Sequence, residues 1–376
     1  MLKAMKYRLK PTKAQAHTLD DQLEECRWLY NHLLAERKTA YEERQESLSY
    51  YAQANTLPPL KEDRPSLIGV HAQVLQNVAV RIDLAFKAFF RRCKAGEEPG
   101  YPRFRGYGRY DSMTFPQYGN GCQLTDGVLK LSKVGALRVT QHRPLEGTPK
   151  TCTLRRSSTW KWYVTIICEV EAQPLPSTGE VVGIDVGLIS FATLSTGEST
   201  PCPKFFRQDE HDLKRTQHKL SGTPKRMPER RKRRTIVARV HERIANRRSN
   251  FAHQESRRIV NRFDVIAVED LSVNQMLHNH CLAKSIQDAA WSQFAVQLIY
   301  KAAYAGKRVV AVNPAYTSQD CSRCGHRQKK TLAERVHSCS CCGLALDRDH
   351  NAALNIKSLG LQALGFPRSS AIHGGE

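Results

Sequence analysis

The sequence predicts a multidomain α+β protein: a small, barrel-like β unit with a helical insertion, followed by an α/β domain. Three observations predict it. Helical apolar periodicity fills much of the first hundred residues. Short alternating strands follow between residues 128 and 170. Beyond a Pro-containing linker at residues 173–179, the apolar segments become continuous and read as fully buried strands. A chain of 376 residues has room for two or three units of roughly 100–200 residues each.

In chain order, residues 6–9 read as a short strand that stops at Pro11, and Thr12 with Gln15 forms the capping box of a long helix. Leu19, Leu23, Cys26, Leu29, Leu33 and Leu34 recur at helical spacing and give that helix one buried face. A second amphipathic helix is expected at about residues 65–92, with Leu75, Val78, Ile82, Phe86 and Phe89 inward. Residues 96–110, rich in Gly, Pro and aromatics, end it. Strands are expected at 128–131, 137–141, 152–156 and 162–170, and the first strand could complete their sheet, making the helices an insertion. After the linker, residues 181–195 read as one buried strand turning at Ser195-Thr-Gly197, with further strands at 265–270 and 308–313. A helix at about 283–305 joins the last two, and a right-handed crossover of that kind implies a partly parallel sheet. Residues 361–376 are expected to be a flexible tail.

The chain carries 58 Lys and Arg against 36 Asp and Glu, a formal charge of +22, which attracts an extended polyanion such as nucleic acid. A merely basic soluble protein of the ribosomal kind would share that charge. No run of 18 apolar residues exists and the N-terminus lacks an apolar signal core, so no membrane partner and a cytoplasmic (prokaryotic cytosol or nucleoid) location are expected. In a reducing compartment the twelve cysteines suggest metal ligands plus scattered thiols, and five of them crowd between Cys321 and Cys342.

Residues 213–262 are strongly basic. Arg239, Arg243 and Arg247 fall at i, i+4 and i+8, opposite an apolar stripe of Ile236, Val240 and Ile244, and between Lys225 and Arg248 the only acids are Glu229 and Glu242. A solvated charged helix would mix signs more evenly, so this face, with Arg231, Arg234 and Arg248, is the candidate phosphate-contacting surface.

Asp185 lies inside the apolar run Val-Val-Gly-Ile-Asp-Val-Gly, where an unpaired carboxylate would cost several kcal/mol in a core. A divalent cation would compensate it, and Gly183 and Gly187 would leave room for a phosphate backbone. Glu269 closes the apolar strand Val-Ile-Ala-Val, at the carboxyl edge where open α/β sheets bind ligands. Its neighbour Asp270 faces the other way and could cap the next turn. Asp349 opens a helix near the end of the chain, where it could instead be an N-cap, and Asp347 competes for either role. Together the three acids would hold two hard divalent ions about 3.5–4 Å apart, the arrangement that hydrolyses phosphodiesters. Oxygen-only ligands favour Mg²⁺, with Mn²⁺ as a substitute.

Cys321-Ser-Arg-Cys324-Gly and Cys339-Ser-Cys-Cys342-Gly are paired knuckles joined by a polar hairpin. Four thiolates at that spacing give one structural Zn²⁺ a closed tetrahedral site, whereas a redox pair needs only one knuckle. Cys341 is an extra thiol that could exchange with a neighbour as ligand.

Lys6-Tyr-Arg-Leu-Lys-Pro-Thr, Gly100-Tyr-Pro-Arg-Phe, Gly183-Ile-Asp-Val-Gly, Val268-Glu-Asp-Leu, Tyr316-Thr-Ser-Gln-Asp-Cys-Ser-Arg-Cys-Gly and Asp347-Arg-Asp-His-Asn-Ala-Ala-Leu-Asn-Ile occur in this order. From about residue 3 to 358 the chain resembles the TnpB proteins of insertion sequences, which are similar to type V CRISPR effectors. The resemblance implies an RNase H-like (RuvC) nuclease domain at 179–313 and 344–360, split by the zinc ribbon at 314–343. It also implies a wedge β unit at 1–10 and 100–178 that grips RNA, and a recognition insertion at 11–99. It implies Asp185, Glu269 and Asp349, rather than Asp347, as catalytic acids, and assigns the Arg-rich helix to guide and heteroduplex. The partners it implies are a guide RNA from the transposon end and target double-stranded DNA cut beside a short adjacent motif, with a monomer favoured. Two other readings share parts of the pattern: a guide-independent RNase H-like resolvase or transposase-type nuclease, and a non-catalytic nucleic-acid-binding regulator, which would tolerate loss of the acids.

Overall fold

The computed structural model describes residues 1–331 and 334–366. The chain divides into two compact units, Met1–Glu171 and a second that begins at Ala172.

In the first unit, β1 (Leu2–Lys10) alternates buried Met5, Tyr7 and Leu9 with exposed neighbours, as a strand with one covered face must. Four helices follow: α1 (Lys13–Arg44), α2 (Tyr50–Asn55), α3 (Leu57–Asp63) and α4 (Ala72–Lys94). The capping box is present, with Thr12 Oγ1 accepting from Gln15 N–H and Gln15 Oε1 from Thr12 N–H. The second expected helix starts late, because residues 65–69 form a 3₁₀ turn and His71 is the N-cap of α4. Residues 96–110 hold no helix or strand. They are nonetheless pinned to α1: Asn31 exchanges two hydrogen bonds with the Arg105 backbone, and Glu24 accepts from Gly108 N–H.

Strands β2 (Ser112–Phe115), β3 (Cys122–Thr125), β4 (Val128–Leu131), β5 (Gly135–Thr140), β6 (Thr148–Arg156) and β7 (Trp162–Glu169) join β1 in an antiparallel, near-barrel sheet of order β2-β6-β7-β1-β5-β4-β3. The first strand sits at its centre, between β7 and β5. All four helices thus lie in sequence between β1 and the remaining strands of its own sheet.

The second unit is built on a five-stranded sheet. Its strands are β8 (Val181–Asp185), β9 (Ser190–Leu194), β10 (Ser199–Pro201), β11 (Val265–Glu269) and β12 (Arg308–Val312), in the order β10-β9-β8-β11-β12. β8, β11 and β12 run parallel, while β9 and β10 are antiparallel. Helices α5 (Phe205–Ser221), α6 (Pro228–Arg262), α7 (Val273–Met276), α8 (Ala283–Ala289) and α9 (Trp291–Tyr304) precede β12. A two-stranded hairpin, β13 (Val336–Ser338) and β14 (Ala345–Asp347), then leads into α10 (Arg348–Ala363). Val182, Ile184, Ile266 and Val268 pack on one side of the sheet with Ile259, Phe294 and Leu298; Ala267, Val312 and Ile356 pack on the other, under α10.

Several sequence expectations are corrected. Residues 181–195 are two strands, β8 and β9, because the chain reverses at residues 186–189; a uniformly apolar run carries no sign of that turn. The turn at Ser195-Thr-Gly197 does form, with Gly197 at φ +89° joining β9 to β10. The helix expected at 283–305 breaks at Ala290, whose φ of +56° re-aims the chain so that Ile286, Trp291 and Phe294 all reach the core. The basic segment is two helices, with Leu213 of α5 packed on Val240 and Ile244 of α6; Ile236 is exposed and Val237 takes its place in the stripe.

Residues 173–179 are held by the second unit. Asp264 accepts from Ser177 Oγ and from the amides of Thr178 and Gly179, and these donors hold its carboxyl well below the usual range. The helix α10 runs three residues past Gly360, to Ala363, so the expected tail cannot begin at 361; residues 367–376 lie outside the described residues. Gly360 is there because a Cβ would come within 2.5 Å of Ala267 Cβ.

Candidate active site and metal centre

β8 and β11 are paired in parallel with Val268 opposite Ile184, so Asp185 and Glu269 end adjacent strands at the same edge. Strand alternation decides their direction. Ile184 and Val268 point to the larger core, which turns Asp185 and Glu269 to the face covered by α10. Asp349 stands in the first turn of α10. Asp347 is the N-cap of that helix, its Oδ1 accepting from the amides of Asp349 and His350 at 2.9 and 3.0 Å.

Asp185 feels the result. Its pKa stands well above the usual carboxylate range, through burial first and then the charges of Glu269 and Asp349, opposed by Arg348 and reinforced by Asp347. Glu269 is also raised by burial, and the Thr317 hydroxyl, donating to Oε1 at 2.6 Å, pulls it back. The Arg348 guanidinium lies 3.7 Å from Asp349 and also donates to the carbonyls of Thr331 and Glu334. Oxygen-only acids whose charges burden the buried Asp185 fit hard divalent cations, which would relieve that repulsion. They are spread more widely than a thiolate shell: among the described residues, only Cys321, Cys324, Cys339 and Cys342 place all ligand atoms within 4.8 Å of one another. Asp270 is exposed, and its amide donates to Val312 O; no side-chain cap is seen for α7.

Of the two glycines beside Asp185, Gly183 makes no room for phosphate. A Cβ on Gly183 would lie 2.1 Å from Ala353 O, so that space belongs to the α10 backbone; at Gly187 it would meet Ser190 O at 3.0 Å, inside the turn. Gly183 is a glycine for the sake of a helix and not of a phosphate.

In the thiol cluster, Cys321 Sγ is 3.6 Å from Cys342 Sγ, and Cys324 Sγ is 3.6 Å from Cys339 Sγ. Zn–S bonds of about 2.3 Å in a tetrahedron need sulfurs roughly 3.8 Å apart, so the four thiols fit zinc. Each knuckle closes in the same way, Gly325 N–H donating to Cys321 O and Gly343 N–H to Cys339 O, with both glycines at positive φ. Backbone amides, that of Cys342 first, hold the Cys339 thiol down at about 6. Cys341 is exposed and outside the cluster.

Three residues around the candidate site, Asn351, Asn355 and Thr317, escaped the sequence reading. Asn351 is fully buried; its Nδ2 donates to Asp320 O, and its Oδ1 accepts from Ser322 N–H. Asn355, one turn on, donates to Thr317 O and Asp320 O at 2.8 and 2.7 Å. These bonds bolt the root of the thiol cluster to α10 and place Thr317 against Glu269. The available signal was two asparagines at i, i+4 on a helix face shared with Ala352 and Ile356, where uncommitted amides would be costly.

The six arginines divide. Arg248 pairs at 2.7 Å with the buried Asp288, which also accepts from Phe206 N–H at the start of α5. Arg243 and Arg247 reach Asp209 on α5, and Arg243 also reaches Asp212. Arg231, Arg234 and Arg239 are exposed on α6. Outside α6, Phe104 and Tyr107 stand exposed on the pinned segment between Arg103, Arg105 and Arg109.

Comparison with known proteins matches residues 165–280 to a family described as "Probable transposase" and residues 291–356 to "Cas12f1-like, TNB domain". Residues 1–46 match a "Helix-turn-helix domain", although here they form β1 and the single long helix α1. The "Putative RNA-guided DNA endonuclease" of Streptomyces pristinaespiralis is 37% identical over 370 residues, covering 96% of this chain and 90% of the relative. InsQ of Escherichia coli K12, which carries the same description, is 30% identical over 96% of this chain and 92% of its own length. Among solved structures, a Cas12f1–sgRNA–target DNA complex aligns with a TM-score of 0.60 at 16% identity, over 92% of this chain and 83% of that one, a likeness of fold.

Proposed function

This chain belongs to the TnpB family of transposon-associated proteins, and on that premise we propose that it is an RNA-guided DNA endonuclease with an RNase H-like (RuvC) active site. The observation that carries the chemistry is the convergence of Asp185 and Glu269, from the ends of adjacent parallel strands, with Asp349 in the first turn of α10. Base pairing with a guide RNA supplies the sequence specificity, and the protein holds the duplex by shape and charge.

Asp185, Glu269 and Asp349 would hold the hydrolytic Mg²⁺, with Mn²⁺ able to replace it. Ions held there would supply Lewis-acid activation of a water and charge stabilisation at the leaving oxygen. Asp347 fixes the first turn of α10 and so aims Asp349, while the surplus of positive charge draws the polyanionic strands in. The partners are a guide RNA and target double-stranded DNA, met in the cytosol. Purification from cells carrying the flanking element DNA should yield one discrete bound RNA, and the complex should cut a matching plasmid only with Mg²⁺. Absence of both RNA and guided cleavage would overturn the reading.

Cys321, Cys324, Cys339 and Cys342 would hold one structural zinc, which fixes the hairpin preceding α10. Cys339→Ser is expected to lower the melting temperature by at least ~5 °C, since about 1 kcal/mol corresponds to roughly 2–4 °C in a unit of this size. An unchanged melting temperature, with no zinc found by elemental analysis of the wild type, would exclude the structural ion.

The arginines should separate by experiment. Arg239→Ala is expected to weaken RNA binding and reduce the salt slope of log affinity by about one, with no loss of stability. Arg248→Ala should instead destabilise the fold by about 3–5 kcal/mol, because it strands the buried Asp288 carboxylate. Thermal unfolding and salt-dependent binding of a labelled RNA distinguish them.

A further inference from the structure

We propose that Thr317 is a positioning residue for the hydrolytic site: its hydroxyl fixes the Glu269 carboxylate, and Asn355 fixes Thr317. The inference rests on the reading of Glu269 as a metal-holding acid.

A carboxylate at the end of a strand is free to rotate about its last bond, and binding an ion in one geometry costs that freedom. Thr317 removes it in advance. The residue is 4% exposed, and its single hydroxyl proton has two acceptors in reach, Glu269 Oε1 at 2.6 Å and Pro314 O at 3.1 Å. The shorter contact, to the charged group, is the stronger one. It engages Oε1 and leaves the second oxygen of Glu269 for a cation.

The loop that carries Thr317 is a set of turns in which Tyr316 O accepts from the amides of Gln319 and Asp320, and α10 adds side-chain bonds to them. Asn355 spends both amide protons there, on Thr317 O and Asp320 O, and Asn351 adds a bond to Asp320 O. Asn355 lies on the helix whose first turn carries Asp349. One rigid helix therefore sets the acid on its own first turn directly and the acid on β11 through Thr317. Polar partners that orient metal ligands typically contribute 10–100-fold in metal affinity.

The test uses the full chain without target DNA. Mn²⁺ binding is read by electron paramagnetic resonance, and sites that survive in Asp185→Ala are subtracted. Thr317→Val, nearly isosteric but without the hydroxyl, is expected to weaken Mn²⁺ binding ~10–100-fold and to raise the Mg²⁺ concentration for half-maximal cleavage similarly. Thr317→Ser, which keeps the hydroxyl, should return both to within a few-fold of wild type, and guide-RNA binding should not change in either. Asn355→Leu should shift both readouts the same way, and its effect should not add fully to that of Thr317→Val, as expected for residues acting in series. Wild-type Mn²⁺ affinity in Thr317→Val, or a Thr317→Ser variant as impaired as Thr317→Val, would overturn the proposal. A wild type that binds no more Mn²⁺ than Asp185→Ala would overturn both the proposal and the assignment of the acids. The expected Mn²⁺ pattern in a protein that never cleaves guided DNA would support the proposal and overturn the endonuclease reading alone.

Discussion

Replacing Asp185 by asparagine is expected to reduce guided cleavage by ~10²–10³-fold, while leaving guide-RNA binding intact and making the metal-free protein more stable. The loss follows from removing a buried acid that feels the charges of two neighbouring carboxylates, where single electrostatic groups are worth about 10²–10³-fold in rate. The gain in stability follows from the same position. Burial and the neighbouring charges of Glu269 and Asp349 raise the folded-state pKa of Asp185 above its unfolded value, so ionisation opposes folding. This cost is absent below the ordinary aspartate pKa, grows as pH rises toward the folded value and is fully present above it. Metal-free wild type should therefore lose stability across that window, and Asp185→Asn should flatten the curve. Saturating Mg²⁺ should stabilise the wild type and leave the variant unchanged. Melting curves from pH 4 to 8, with and without Mg²⁺, read all of this; equal melting temperatures for metal-free wild type and variant at pH 8 would contradict the assignment.

Two residues earlier on the same strand face, Gly183→Ala should fail in the opposite way. The added methyl would meet Ala353 O at 2.1 Å, Lys357 N at 2.4 Å and Lys357 Cα at 2.9 Å, all of them backbone in the middle of α10. No side-chain rotation relieves that, so α10 must lift off β8 or the strand must shift, at a cost above about 4 kcal/mol. Cleavage would be lost here too, but with a lowered or absent thermal transition rather than a raised one. A Gly183→Ala protein that melts like wild type would mean that α10 does not pack on β8 at this distance.

The contrast between these two positions shows how much of the site was legible in advance. Asp185 and Glu269 stood out because a carboxylate inside an apolar strand needs a compensating charge, a rule that requires no neighbours to apply. Gly183 also stood out, but its partner did not: the same absence of a side chain suits a phosphate or a helix backbone, and only the packing of α10 decides. Asp347 and Asp349 were ambiguous for a similar reason. Both are acids at a helix start, and the cap is chosen by which carboxylate reaches the free amides. Arg243, Arg247 and Arg248 repeat at a spacing that marks a shared surface, yet their counter-ions come from Asp209, Asp212 and Asp288, far away in sequence.

By itself, the sequence determined the features that depend on local periodicity and local chemistry: the capping box at Thr12, the buried strands, the paired cysteine knuckles, the basic balance and the family motifs. Only the tertiary structure decided which acid is the cap, where residues 181–195 reverse, which arginines are already paired, and that Asn355 and Thr317 reach Glu269. The physical reason is range. Periodicity and capping act over a few residues of chain, whereas a hydrogen bond between positions 48 residues apart, such as that from Thr317 to Glu269, exists only once two elements have packed.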